Sequence, residues 1–225
     1  MKIDETNFDA LGQIAPNIDV GDIENDHMYL MSVAIDCSGS MSPYVSEMKM
    51  SMTNYVKSIK DSKSDDEMLV SRTDFSSNVT SSGFQVIDDF GTDYSAGGTT
   101  HMYDAIIAAA YQLTDYMNTL NSSGVRTRGG LVIFSDGDDI GSTKTIHDAR
   151  DAIAMLKKEE IVVAFVAFGP DARGIANDLG ITDVLETKAS ESELRRVWGV
   201  LSKSAISSSK SAAAGASQTT FFDVV

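Results

Sequence analysis

Oxygen donors dominate the residues of this chain whose types and spacing suggest chemistry. Three short stretches hold them: Asp36-Cys37-Ser38-Gly39-Ser40, Gly97-Gly98-Thr99-Thr100 and Phe134-Ser135-Asp136-Gly137. Together they offer two carboxylates and several hydroxyls, with few or no histidine or cysteine partners. Oxygen-only sets with few charges suit Mg2+, Mn2+ or Ca2+, and the shortage of nitrogen and sulfur argues against zinc or copper. Alone, D-x-S-x-S in a serine-rich chain is a weak signal that reads equally well as a helix N-cap with a turn. Its weight comes from where all three stretches fall.

Each falls at the end of an expected strand or in a loop between elements. The apolar run 28–35 reads as a buried strand ending on Asp36, and Pro43 suits the first turn of a helix. Val45, Met48, Met52, Tyr55, Val56 and Ile59 then recur in steps of three and four, one face of an amphipathic helix. Further strands are expected over 68–75, 84–90, 130–135, 161–168 and 184–186, and further helices over 102–120, 144–158, 171–179 and 191–207. The second strand is unusually polar, with Ser71, Arg72, Thr73 and Asp74. Residues 76–83 read as a turn, so that 84–90 pairs back as a hairpin. This alternation predicts an α/β, doubly wound, mostly parallel sheet with helices on both faces. In such a sheet the carboxyl ends of parallel strands share one edge, where the three stretches can meet.

The organisation that follows is an irregular, acidic N-terminal arm over 1–26, a domain over 27–206 and a flexible Ser/Ala-rich tail over 207–225. Phe8, Leu11, Ile14 and Ile18 of the arm are candidates to pack on the domain. The tail ends in Phe221-Phe222-Asp223-Val224-Val225, an apolar tip that either frays or docks on a partner.

Composition narrows the partners. A net charge of −15 repels nucleic-acid phosphates and anionic lipid, so neither is expected to bind. No apolar run is long enough to span a bilayer, and the N-terminus lacks the apolar core of a signal peptide. Cys37 is the only cysteine, which excludes an internal disulfide and fits a reducing compartment. A cytoplasmic location is the simplest expectation.

From about residue 28 to 205 the chain resembles the von Willebrand factor A domain family, through the motifs of its metal-ion-dependent adhesion site. D-x-S-x-S after the first strand is Asp36, Ser38 and Ser40, the Thr after paired glycines is Thr99, and the Asp of a D-G turn after the fourth strand is Asp136. Phe75-Ser76 and Tyr103-Asp104-Ala105-Ile106 are similar to bacterial members. The resemblance implies a six-stranded sheet with one antiparallel edge strand, here 84–90. It implies that Ser38 and Ser40 bind the ion directly, Thr99 directly or through water, and Asp36 and Asp136 mostly through water. It also implies a protein partner whose Glu or Asp completes the coordination, in an adaptor or assembly factor, some of which work beside AAA+ ATPases.

Other residues near these motifs have plainer readings. His101 suits a helix start, Asp138 and Asp139 suit acids at a helix N-terminus, and Asp74 suits either a supporting role or an ion pair with Arg72. Cys37 alternates with the ligands and should point into the core. Two other functions compete with binding. A metal-dependent phosphoryl-transfer or hydrolytic enzyme would need a positioned nucleophile and base, and His27, His101 and His147 form no recognisable triad pattern. A flavodoxin-like phosphate site at Ser38-Gly39-Ser40 would place Asp36 and Asp136 against a phosphate dianion. The chain is therefore expected not to be an enzyme.

Overall fold

The computed structural model describes residues 13–62, 68–169, 171–187, 190–214 and 220–222. Its elements in chain order are β1 (Gln13–Ile14), β2 (His27–Asp36), α1 (Val45–Asp61), β3 (Met68–Phe75), β4 (Val79–Ser81) and α2 (Met102–Ser122). There follow β5 (Arg126–Ser135), α3 (Ile146–Lys158), β6 (Val162–Phe168), α4 (Ala172–Asp178), β7 (Asp183–Thr187) and α5 (Glu191–Ala214). The strands lie in the order β1-β4-β3-β2-β5-β6-β7. Strands β3, β2, β5, β6 and β7 run parallel and β4 antiparallel to β3. This is the expected α/β, Rossmann-like and von Willebrand factor A-like fold. The two residues of β1, drawn from the N-terminal arm, pair outside β4.

Period-2 alternation on the inner strands explains why both faces are covered. On β2, Met28, Leu30 and Ala34 face α2 and α3, while Tyr29, Met31, Val33 and Ile35 face α1 and α5. Strand β5 repeats this with Leu131 and Ile133 on one side and Val132 and Phe134 on the other. Near-continuous apolar runs are the mark of strands buried on both sides. Trp198 of α5 stacks on Phe134 with ring centroids 4.6 Å apart and meets Tyr55 of α1 at 5.0 Å. One aromatic group thus ties both helices to the central strand.

The polar residues of β3 have partners. Ser71 donates to Ser32 Oγ on the neighbouring strand at 3.1 Å. Arg72 makes a forked pair with Asp74, Nε to Oδ1 at 2.7 Å and Nη2 to Oδ2 at 2.9 Å, and its Nη1 reaches the Gly91 carbonyl. Asp74 is therefore engaged by Arg72. Such a bidentate pair satisfies a guanidinium that is nearly out of solvent.

Three expectations need correction. The antiparallel strand is Val79–Ser81, inside the segment expected to be a turn. Ser76 N bonds the Asn78 carbonyl at 3.0 Å, a turn tight enough to return the chain at once. Residues 84–90 form only a bridge between Val70 and Gln85 before a 3-10 turn at Ile87–Asp89. Burial recurs at Phe84, Ile87 and Phe90 while Val86 is exposed, a spacing of three that breaks the alternation a strand needs.

Next, the last helix continues to Ala214, beyond the expected start of the tail at 207, because Ser and Ala both sit acceptably in a helix. Last, the expected idle or partner-bound tip places Phe221 inside this domain's own core, fully buried among residues of α5 and the sheet. Ile14 and Ile18 of the arm do pack on the core. Phe8, Leu11, residues 63–67, and Asp223, Val224 and Val225 of the tip lie outside the described residues.

Candidate metal centre

Strands β2 and β5 are hydrogen-bonded neighbours, so Asp36 and Asp136 emerge side by side at their carboxyl ends. Beyond Asp36 the chain turns into a 3-10 segment, Gly39–Tyr44, that leads into α1. That turn folds Ser38 and Ser40 onto one side, with their hydroxyl oxygens 3.0 Å apart. Ser38 is buried and Ser40 exposed, so the pair forms the floor and rim of one small site.

Asp36 is the buried anchor. Its Oδ1 accepts the Ser38 N–H at 2.8 Å and its Oδ2 accepts the Ser135 hydroxyl at 2.7 Å. Its carbonyl accepts the Tyr94 hydroxyl at 2.5 Å. Burial pushes its carboxyl up to about 6, against the downward pull of Ser38 and Ser135, and the charge of Asp136 adds to the rise. A carboxylate held in this way is costly to keep ionised, and a nearby cation would offset that cost. Both its oxygens carry protein hydrogen bonds, which suits contact with an ion through water.

The glycine-rich loop is stitched to this turn by its backbone. Gly97 N–H donates to the Cys37 carbonyl at 2.8 Å, and Gly39 N–H donates to the Gly98 carbonyl at 3.2 Å. Gly98 adopts φ +85°, where a Cβ would lie 2.5 Å from Ser77 Oγ, so only glycine fits without strain. Thr99 is exposed, and Ser77 Oγ takes both its N–H at 3.0 Å and its hydroxyl at 3.1 Å. Thr99 is thus brought beside the serines with its side chain turned toward Ser77.

A second set of contacts fixes the loop after β5. Asp136 Oδ1 accepts the Asp138 N–H at 3.1 Å, closing the D-G turn. The N–H groups of Ile140 and Gly141 both donate to the Thr100 carbonyl, at 2.9 and 3.0 Å. Asp139 accepts from Tyr103 N–H at 3.2 Å and from the Ser142 hydroxyl at 2.6 Å, so it serves the start of α2, not of α3. Asp104, buried in the first turn of α2, accepts the N–H groups of Thr143 and Lys144 at 2.9 Å each. His101 sits at the N-cap of α2 with Nδ1 3.9 Å from Asp104 Oδ2. Cys37 packs at the edge of the α1/α5 core, and burial pushes its thiol up, which leaves it unreactive.

All five expected site residues therefore lie at one sheet edge, Asp36 as the last residue of β2 and the others in the segments that follow strands or precede α2. Three supporting residues are not singled out by the motifs: Ser77, Ser135 and Asp104. Ser135 lies inside a motif stretch, and Asp104 inside a quoted run, so both are visible in sequence. Ser77 has no signal of its own. Among the described residues, no three His, Cys, Asp or Glu side chains form a metal-binding group. A metal here would rest on hydroxyls backed by two carboxylates, and that donor set fits a hard divalent ion.

No protein-family profile and no curated protein matches the chain. Solved structures do. The pilus adhesin SpaC from Lactobacillus rhamnosus GG, in its open conformation, superposes with a TM-score of 0.66 at 11% identity, over 81% of this chain and 30% of that one. The PilB minor pilin from Streptococcus sanguinis gives 0.56 at 12% identity, over 83% of this chain and 63% of that one. Proximal thread matrix protein 1 from the mussel byssus gives 0.56 at 17% identity, over 81% and 47%. In each case this chain spans less than two thirds of the other protein. At such identities the likeness establishes the fold. Among the described residues no helix is long and apolar enough to cross a membrane.

Proposed function

We propose that this chain is a divalent-cation-dependent protein-binding module of the von Willebrand factor A type, and not an enzyme. The observation that carries this reading is the pair of hydroxyls Ser38 and Ser40, 3.0 Å apart above the buried Asp36. Two neighbouring oxygens of an octahedral Mg2+ lie about 2.9 Å apart, since each sits at about 2.05 Å from the ion. A spacing of that size suits two oxygens shared by one hard divalent ion, Mg2+ or equally Mn2+ or Ca2+.

Ser38 and Ser40 would hold the ion directly, Thr99 directly or through water, and Asp36 and Asp136 from behind. When bound, the ion supplies a positive centre that a Glu or Asp carboxylate of a partner protein can complete. The residues of the chain do the rest. Asp36 and Asp136 neutralise part of the charge, which leaves the exposed side open. Ser135, Ser77 and Asp104 keep the three loops in register. The acidic surface adds selectivity: with −15 net charge, an acidic partner is repelled unless the ion is in place. A role as an adaptor or assembly factor in a cytoplasmic complex follows from the same resemblance.

Geometry favours binding over catalysis. The serine hydroxyls face each other instead of a base, and His101 faces Asp104. Two carboxylates beside the turn disfavour a phosphate ligand. The test is co-purification from the native source with Mg2+ or with chelator, using the unaltered chain and Ser40→Ala. Partner proteins should be retained only with metal and only by the unaltered chain. Equal retention in chelator, or equal retention by Ser40→Ala, would sink the proposal.

A further inference from the structure

Gly130 is an inner-strand glycine where a β-branched residue would be ordinary, and its absent Cβ is occupied space. A Cβ built there would overlap Cζ of Phe221 and lie 2.6 Å from Tyr29 Oη. Glycine inside a strand marks a close approach by another group, and here that group is the ring of Phe221. The ring is fully buried in the core between α5 and the sheet.

The backbone of Phe221 is held as well. Its N–H donates to Oδ2 of Asp183, at the start of β7, and its carbonyl accepts the hydroxyl of Ser204 on α5. Both bonds come from side chains, not from a strand ladder. Phe222 beside it packs against the same core while staying half-buried. The domain thus presents a slot with a glycine floor, an apolar wall from α5, one acceptor and one donor. Those four features recognise a residue with an aromatic side chain.

We propose that this slot is a peptide-binding site for an aromatic residue, filled by the chain's own Thr220-Phe221-Phe222, and that the segment leaves it as a unit without unfolding of the domain. The slot is separate from the metal centre: Gly130 stands five residues before Ser135, about 16 Å along β5. The Phe221 backbone is held by the side chains of Asp183 and Ser204 and joins no strand ladder, which suits a unit that opens below the global free energy. A tethered occupant also competes with any free peptide at an effective concentration in the millimolar range.

The experiment uses the full chain and its Phe221→Ala variant, with an acetylated Thr-Thr-Phe-Phe-Asp peptide as probe. A peptide with Ala at its first Phe is the control. The variant should melt at lower temperature, bind the Phe peptide saturably and recover melting temperature with it, while the control peptide does nothing. The unaltered chain should bind the probe at least tenfold more weakly, because its own tail competes. Equal binding of the two peptides, or no binding to the folded variant, overturns the proposal. Native-state hydrogen exchange on the unaltered chain decides the matter if the variant does not fold. The Phe221 amide should exchange at least tenfold faster than that of Val132, and equal rates would make the segment fixed core and overturn the proposal.

Discussion

Ser135 donates its hydroxyl to Oδ2 of Asp36 across 2.7 Å, joining the carboxyl ends of two central strands with both side chains out of solvent. Ser135 Oγ in turn accepts the Gly137 N–H at 3.0 Å, so one hydroxyl serves both the anchor carboxylate and the turn that carries Asp136. Ser135→Ala removes both functions. The variant is expected to lose about 1–3 kcal/mol of stability, the cost of leaving buried polar groups unpaired. It is also expected to bind Mg2+ about tenfold more weakly, a change of about 1.4 kcal/mol. Urea denaturation without metal and calorimetric titration with Mg2+ read the two effects separately. Unchanged Mg2+ affinity would show that Asp36 does not need this bond.

Asp104 works at longer range. Its carboxylate gathers the N–H groups of Thr143 and Lys144 and the Thr143 hydroxyl, which pins the loop after β5 to the first turn of α2. Asp104→Ala should cost about 2–3 kcal/mol through unpaired buried donors. Asp104→Asn, which keeps acceptor oxygen but turns one arm into a donor, should recover part of that loss. Thermal melts of the two variants beside the unaltered chain give the order. An Asn variant no better than Ala would mean that the charge, not acceptance at one oxygen, holds the loop.

Much of this architecture is legible in sequence, and the misses have physical causes. Strands β2, β3, β5 and β6 announce themselves because each carries an apolar run or sits beside a motif. Strand β3 also keeps its place despite four polar residues, since Ser71 and Arg72 find partners that composition alone cannot display. The motifs Asp36-Ser38-Ser40, Thr99 and Asp136 reach one edge because β2 and β5 are neighbours, an order that alternation allows but does not fix. By contrast, Val79–Ser81 is too short to show a period, and 84–90 looks like a strand because Phe84, Ile87 and Phe90 are buried anchors. Ser77 and Phe221 act through contacts with residues far away in the chain, with Thr99 and Gly130 respectively. No local pattern encodes such pairs.

Helix α3 offers a prediction with a pH signature. Thr145 and Asp148 form a capping box, with Thr145 N–H bonded to Asp148 Oδ2 at 2.8 Å and Asp148 N–H to Thr145 Oγ1 at 3.3 Å. The hydrogen bonds from the Thr145 backbone and then its hydroxyl hold the Asp148 carboxyl below the usual carboxylate range. A depressed folded-state value means stability that is present above the unfolded value and is lost as pH falls through the folded one. Thr145→Ala should cost about 1 kcal/mol at pH 7. That difference should shrink as pH falls below the usual carboxylate range and through the lowered value at which Asp148 takes up its proton in the folded protein. Denaturant midpoints for both proteins at pH 7 and pH 3 test this. A difference that does not change with pH would remove the carboxylate from the cap.

Gly98 is the position where the glycine-rich loop meets the turn that carries Ser38 and Ser40. Its φ of +85° is one that side-chain-bearing residues adopt only with strain, and an added Cβ would press on Ser77 Oγ at 2.5 Å. Gly98→Ala is expected to cost about 1–2 kcal/mol from the conformation alone. The clash adds a displacement of Ser77, the residue that holds both the N–H and the hydroxyl of Thr99. The Gly98 carbonyl also accepts the Gly39 N–H, so the turn carrying Ser38 and Ser40 moves with it. A single methyl group should therefore weaken Mg2+ binding far more than its effect on stability suggests. Gly97→Ala is the control, since a Cβ there meets nothing within 4 Å. Parallel Mg2+ titrations and melts on the two variants should show a drop of tenfold or more in affinity for Gly98→Ala, and little change for Gly97→Ala. If both variants bind Mg2+ as the unaltered chain does, the glycine loop does not place Thr99 at an ion.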